Sequence, residues 1–225
     1  MMWRVWVIVV GSALAQGFAL RVSMAGKPEL WLGLGLAYAV LGGLALGGLW
    51  DRHTLAERLR PRAGDVTIGV IVGSALLLGS WAGRSLLAPL ESPNHAWLLR
   101  IYLVFGEPNA IQRSAPITLT LLSLAALDEI AWRGHVLDAL GERHGPRRAF
   151  LYSILLYGAA ALPTAVTLRD PVAGPNPFWI LLCLGCGLFW TFLARVTGRL
   201  PPSIIAHCMF GYFSAVQFRF SALMP

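Results

Sequence analysis

Seven consecutive residues, Asp128-Glu129-Ile130-Ala131-Trp132-Arg133-Gly134, hold two carboxylates and a guanidinium at the end of a mostly apolar run over residues 117–127. A charge at membrane depth costs about 2.5–3.5 kcal/mol on insertion scales, so such residues mark functional sites by default. On an α-helix Glu129 and Arg133 are four apart and share a face, where they can pair. Asp128 is rotated by about 100° and shares a side with Trp132 and His135. One carboxylate held by a cation, with a second pointing elsewhere, suits a general base acting on water. The same residues also suit a buried ion pair that only fixes helix packing.

His207 is the one histidine deep in an apolar run, Ile204-Ile205-Ala206-His207-Cys208-Met209-Phe210-Gly211. A neutral imidazole there can donate to a developing oxyanion or orient a water. It can equally be a core histidine bonded to a neighbouring helix. His135 lies seven residues beyond Asp128, about 10 Å along a helix axis and out of direct reach. No serine or cysteine is placed to be activated by a base, and Cys208 beside His207 does not face it on a helix. Direct attack by water is therefore the expected chemistry. No metal and no cofactor are expected: Asp128, Glu129 and His207 offer a ligand set, but Arg133 competes with a cation for the same carboxylates. Cys183-Leu184-Gly185-Cys186 has the spacing of redox pairs, yet no second pair exists to relay electrons, and packing beside Gly185 and Gly187 explains it better.

These residues lie in an expected order along the chain. Asp128-Glu129-x-x-x-Arg133-Gly134 is followed by a basic turn. A span ending in Leu156-Tyr157-Gly158-Ala159-Ala160-Ala161-Leu162-Pro163 comes next, and then Pro202-Ser203-Ile204-Ile205-Ala206-His207. Over roughly residues 115–218 the chain resembles the CAAX-protease and bacteriocin-processing (CPBP) family of glutamic-type intramembrane endopeptidases. The family's first motif is Glu-Glu-x-x-x-Arg, matched here with Asp128 for the leading Glu. Its second is an aromatic followed four positions later by His, of which Tyr157 matches and Ala161 departs. Its third is His-x-x-x-Asn or Asp, of which His207 matches and Gly211 departs. The resemblance implies Asp128 as the base, Glu129 and Arg133 as the supporting pair and His207 as the oxyanion donor. It implies a membrane-anchored protein or peptide as substrate. The two departures open a second reading, a pseudoprotease that binds a membrane peptide or partner, such as an immunity-type protein, without cleaving it; the paired acids allow a third, a small proton-coupled transporter using Asp128 and Glu129 as a relay.

Composition places these motifs in lipid. The 225 residues are 56% hydrophobic and 13% charged, with a mean hydropathy of +0.64, whereas a soluble domain is about 25% charged. The fold class is all-α, a polytopic transmembrane bundle of about seven spans, in one integral membrane domain over 1–225 with a catalytic core at 115–218. The net charge is +7 and every basic residue but Lys27 is Arg. No basic stripe is interleaved with aromatics, which argues against nucleic acid. The arginines fall mostly in short loops and follow topology and anionic headgroups.

In order, the spans read as residues 1–20, 30–50, 66–88, 116–140, 149–162, 178–196 and 203–218. Ala13-Leu14-Ala15 resembles a signal-peptidase site, but the apolar stretch continues to Leu20 and a retained first span is expected. Residues 96–105 are too short to cross and read as an interfacial or re-entrant helix. Leu55 and Leu59 suggest a short surface helix, and Arg84 is expected to snorkel to the interface. Arg4, Arg52, Arg58, Arg60, Arg62, Arg143, Arg147, Arg148, Arg195 and Arg199 fall on one side if the N-terminus is cytoplasmic, the arrangement favoured by the positive-inside rule. The family resemblance implies a bacterial inner membrane. The sequence is silent on oligomeric state.

Overall fold

The computed structural model describes residues 2–216. Among them there are helices and no strand, the nearest to one being a single bridge between Asp170 and Gly174. In chain order the α-helices are α1 (Met2–Ala19), α2 (Pro28–Asp51), α3 (Leu55–Leu59), α4 (Asp65–Leu87), α5 (His95–Phe105), α6 (Pro108–Arg113), α7 (Ala115–Glu129), α8 (Leu137–His144), α9 (Pro146–Ala160), α10 (Thr164–Thr167), α11 (Phe178–Thr197) and α12 (Pro201–Val216). A π-helical segment, Ile130–Val136, joins α7 to α8 without a break.

Local chemistry sets these boundaries. Pro28, Pro108, Pro116 and Pro146 each sit in a helix's first turn, where the missing N–H is no loss. Ser114 caps α7 by accepting from the Ile117 N–H at 3.4 Å, satisfying one of the free donors of a helix start. Gly198 closes α11 at φ +68°, the left-handed conformation that glycine adopts without strain. The turn from α11 to α12 is tied to α3: Arg58 Nη1 donates to the Gly198 carbonyl at 2.9 Å, and the Leu200 N–H donates to the Arg58 carbonyl at 2.9 Å. Arg58 also pairs with Asp138 of α8.

Among the described residues six helical stretches are long and apolar enough to cross a membrane: Met2–Ala19, Pro28–Asp51, Asp65–Leu87, Ala115–His144, Pro146–Thr167 and Phe178–Thr197. This is an integral membrane protein built as a helical bundle. The seventh expected span is α12, of which 16 residues are described; its expected end at Phe218 lies outside the described residues. Large apolar side chains such as Leu14, Leu36, Leu78 and Leu86 face outward, as a lipid-facing surface requires. α1 is built into the bundle, with Val5 and Ile8 fully buried and Gln16 accepting from Trp179 Nε1 of α11 at 2.8 Å.

The stretch α7–π–α8 runs through the middle, touching α2 on one side and α12 and α9 on others. Small residues bring α12 close. A Cβ at Gly69 of α4 would lie 2.7 Å from Ile205 and 2.9 Å from the Pro202 carbonyl oxygen. Glycine there lets the helix that carries His207 pack tightly on α4.

One expectation of the fold is corrected. Arg84 turns inward rather than snorkelling: it is buried and its Nη1 donates to the Tyr102 hydroxyl of α5 at 2.7 Å. The region after α4 is two short helices, α5 of 11 residues and α6 of 6. They close over the bundle end, with Arg100 of α5 paired to Asp170 at 3.1 Å. The short helix expected at Leu55 and Leu59 is α3.

Candidate active site

The π turn decides how the two acids are held. A π-helical turn closes each hydrogen bond over five residues rather than four, which widens the turn between α7 and α8. Arg133 then reaches both carboxylates: Nη1 lies 3.3 Å from Glu129 Oε1 and 3.4 Å from Asp128 Oδ2. The α-helical reading, with Arg133 serving Glu129 and Asp128 pointing away, is thereby corrected. The guanidinium is fully buried and stacks at 4.2 Å over the Tyr157 ring and 5.3 Å from the Trp190 ring. Such cation–π contacts are favoured where the cation is desolvated.

Three further helices close the group. From α9, the Tyr157 hydroxyl donates to Asp128 Oδ2 at 2.9 Å. From α12, His207 Nδ1 lies 2.9 Å from Glu129 Oε1 and 3.8 Å from Asp128 Oδ2. An ionised carboxylate only accepts, so Nδ1 is the protonated nitrogen in that pair and Nε2 is the atom left for other partners. From α11, Trp190 stacks on the His207 ring with centroids 3.7 Å apart and planes 15° apart. Gly187, one turn before Trp190, leaves room for this assembly. A Cβ there would lie 2.9 Å from the Tyr157 ring and 3.3 Å from Arg133 Nη2.

The site opens on a cavity of about 360 Å³ whose wall is mostly apolar. Asp128, Tyr157, Trp190, His207 and Gly211 line it, together with residues of α1, α2, α4 and α5. The cavity therefore reaches beyond the three spans that motif spacing points to. Glu129 is fully buried and not on the cavity wall. The two carboxylates thus differ in position: Glu129 binds the imidazole from behind and Asp128 faces the hollow. Asp128 Oδ1 has no hydrogen-bond partner among the described residues.

All four expected residues, Asp128, Glu129, Arg133 and His207, come together. The other histidines do not join them. His135 is buried against Gly48 of α2, and His95 meets the Ala88 carbonyl at 3.2 Å. His144 packs edge-on to Tyr152. Ala161 sits just past the end of α9, fully buried and away from the cavity wall. Cys183 and Cys186 are free thiols on that wall. Ligand atoms of Asp128, Glu129 and His207 lie within 4.8 Å of one another, a spacing that suits a cation. Arg133 already supplies that positive charge at 3.3–3.4 Å, so a divalent ion would meet a second cation at contact distance.

Two contributors escape motif reasoning. The Tyr157 hydroxyl matters where only the ring is expected to, and Trp190 belongs to no motif. One signal for Trp190 is present in the sequence: it lies in mid-span, whereas interfacial Trp sits near span ends.

Fold and site define a polytopic helical membrane protein with an acid–imidazole centre inside the bundle. Residues 111–213 match the model of the family described as "Type II CAAX prenyl endopeptidase Rce1-like". The matched stretch, a little under half of the chain, carries all four expected residues, and over it the chain is similar to that family of the CPBP group. No curated protein and no solved structure matches the chain.

Proposed function

We propose that the protein is an intramembrane endopeptidase that hydrolyses a peptide bond of a membrane-anchored protein or peptide. The family supports endopeptidase activity; the single observation that carries the reading to this chain is that Asp128, beside His207, faces a hollow between helices while Glu129 and Arg133 hold both from behind.

Asp128 takes a proton from a water bound in the cavity. The water oxygen bonds to the substrate carbonyl carbon, and the C=O electron pair moves onto oxygen. Collapse of that intermediate breaks the C–N bond, and the Asp128 proton passes to the leaving nitrogen. One water is consumed and no covalent enzyme intermediate forms. Tyr157 holds Oδ2 of Asp128, which leaves Oδ1 for the water. In its doubly protonated form His207 donates from Nδ1 to Glu129 and from Nε2 to the developing oxyanion.

The test is reconstitution in liposomes with a panel of apolar, membrane-anchored peptides, with products read by mass spectrometry. Cleavage by the parent and its loss in both Glu129→Gln and His207→Ala is the expected result. Peptide retained equally by all three with no cleavage overturns the enzyme reading in favour of a binding protein. Proton flux that depends on Asp128 overturns it in favour of a transporter.

A further inference from the structure

An oxyanion site needs donors aimed at the reacting carbonyl oxygen, and α12 offers fewer than the resembled motif does. Gly211, on the cavity wall one turn beyond His207, has no side chain to donate from. A donor is present on the facing helix. Trp190 of α11 lines the same cavity and is 3% exposed, and its Nε1–H has no acceptor among the described residues. An indole nitrogen only donates. A buried donor left unpaired costs about 1–3 kcal/mol, and native structures keep few of them. Trp179 on the same helix lines the same cavity, and its Nε1–H is satisfied by Gln16 Oε1 at 2.8 Å; the buried Trp132 also has an Nε1–H without a partner among the described residues, but it is not on the cavity wall.

The Trp190 ring is also held in place. It lies flat on His207 at 3.7 Å, with Tyr157 at 6.4 Å and Phe210 at 6.2 Å meeting it at steep angles. The indole plane is therefore fixed against the imidazole.

We propose that the Trp190 Nε1–H donates to the carbonyl oxygen of a peptide bond seated between Asp128 and His207, supplying the donor that Gly211 lacks. This rests on the reading that the cavity receives a peptide carbonyl. As water adds to the carbonyl carbon, negative charge grows on that oxygen and the N–H bond to it strengthens. Trp190 is then a catalytic residue, because it touches the reacting atoms.

The probe is N-acetyl-trileucine aldehyde, whose apolar side chains suit the wall. The protein is labelled with ¹⁵N at its indole nitrogens, reconstituted in detergent micelles and titrated by NMR, with the Trp190 signal assigned by its loss in Trp190→Phe. The expected result is a downfield move of the Trp190 indole proton. Trp190→Phe, which keeps the stacked ring, should weaken aldehyde binding by roughly two- to tenfold, the worth of one neutral hydrogen bond. Shifts at Trp179 with none at Trp190 overturn the proposal, as does unchanged affinity in Trp190→Phe. Absence of any shift at saturating aldehyde overturns it as well, since the cavity then takes no carbonyl peptide. The half-buried Ser214 lines the same wall with a hydroxyl that has no partner among the described residues, so weakening in Ser214→Ala and not in Trp190→Phe moves the role to Ser214 and overturns the proposal. A Trp190 shift without cleavage of any peptide in the liposome panel leaves this proposal standing while the endopeptidase reading falls.

Discussion

Tyr157 donates a 2.9 Å hydrogen bond to Asp128 from the position one helical turn before Ala161. The resembled family carries an imidazole at the Ala161 position. Here that residue is a buried alanine that is not on the cavity wall, and the polar contact from α9 to the acid comes from the phenol instead. Hydrogen bonds to charged groups contribute about 1.5–3 kcal/mol. Tyr157→Phe should therefore lower turnover roughly 10- to 100-fold. The same bond is present in the resting protein, so unfolding should also lose about 1.5–3 kcal/mol, with the ring still under Arg133; kinetics and a melting curve on one preparation check both halves.

Arg133 is the shared counter-ion of two buried carboxylates. Removing one partner of a buried ion pair costs about 3–5 kcal/mol. Arg133→Met should show that loss in reversible unfolding from mixed micelles. Arg133→Lys should recover only part of it, because an ammonium lacks the planar fork that reaches two carboxylates and stacks on Tyr157. Full recovery by lysine would mean that the charge alone is what matters.

Gly187 is in contact with the site without taking part in it. A methyl there meets the Tyr157 ring at 2.9 Å and Arg133 Nη2 at 3.3 Å. Gly187→Ala should cost about 1–3 kcal/mol of stability, the usual cost of overpacking. It should also reduce activity by displacing the phenol from Asp128. Gly185 has open space at its Cβ, so Gly185→Ala is the control and should leave both measurements near those of the parent.

Asp170 gives a pH dependence at the loop end of the bundle. Hydrogen bonds from the Ala173 and Val172 N–H groups, and the Arg100 guanidinium, hold its carboxyl below the usual carboxylate range. The native state then binds a proton less readily than the unfolded chain, so stability rises with pH across this window. The contribution is fully present above the unfolded value of about 3.9 and is lost as pH falls through the folded one. Melting temperature against pH should fall less steeply at the acid end in Asp170→Asn than in the parent; superimposable acid limbs would show that this loop does not contribute.

The sequence by itself determined the medium and the helices. Apolar runs of the right length fixed six spans, because hydropathy is a property of consecutive residues. Pro and Gly at their ends fixed most boundaries for the same local reason. Glu129 and Arg133 were legible as a pair, since four residues bring two side chains to one helix face whatever surrounds them. Tertiary structure alone decided the rest. Arg133 reaches Asp128 because the chain widens into a π turn, and no local pattern in Ile130–Val136 announces it. Arg84 turned inward because Tyr102 of α5 awaited it. His207 meets Glu129 across 78 residues, and Trp190 lies flat on that imidazole. Those contacts depend on how closely α4, α11 and α12 approach one another, which small residues permit but short-range periodicity does not encode.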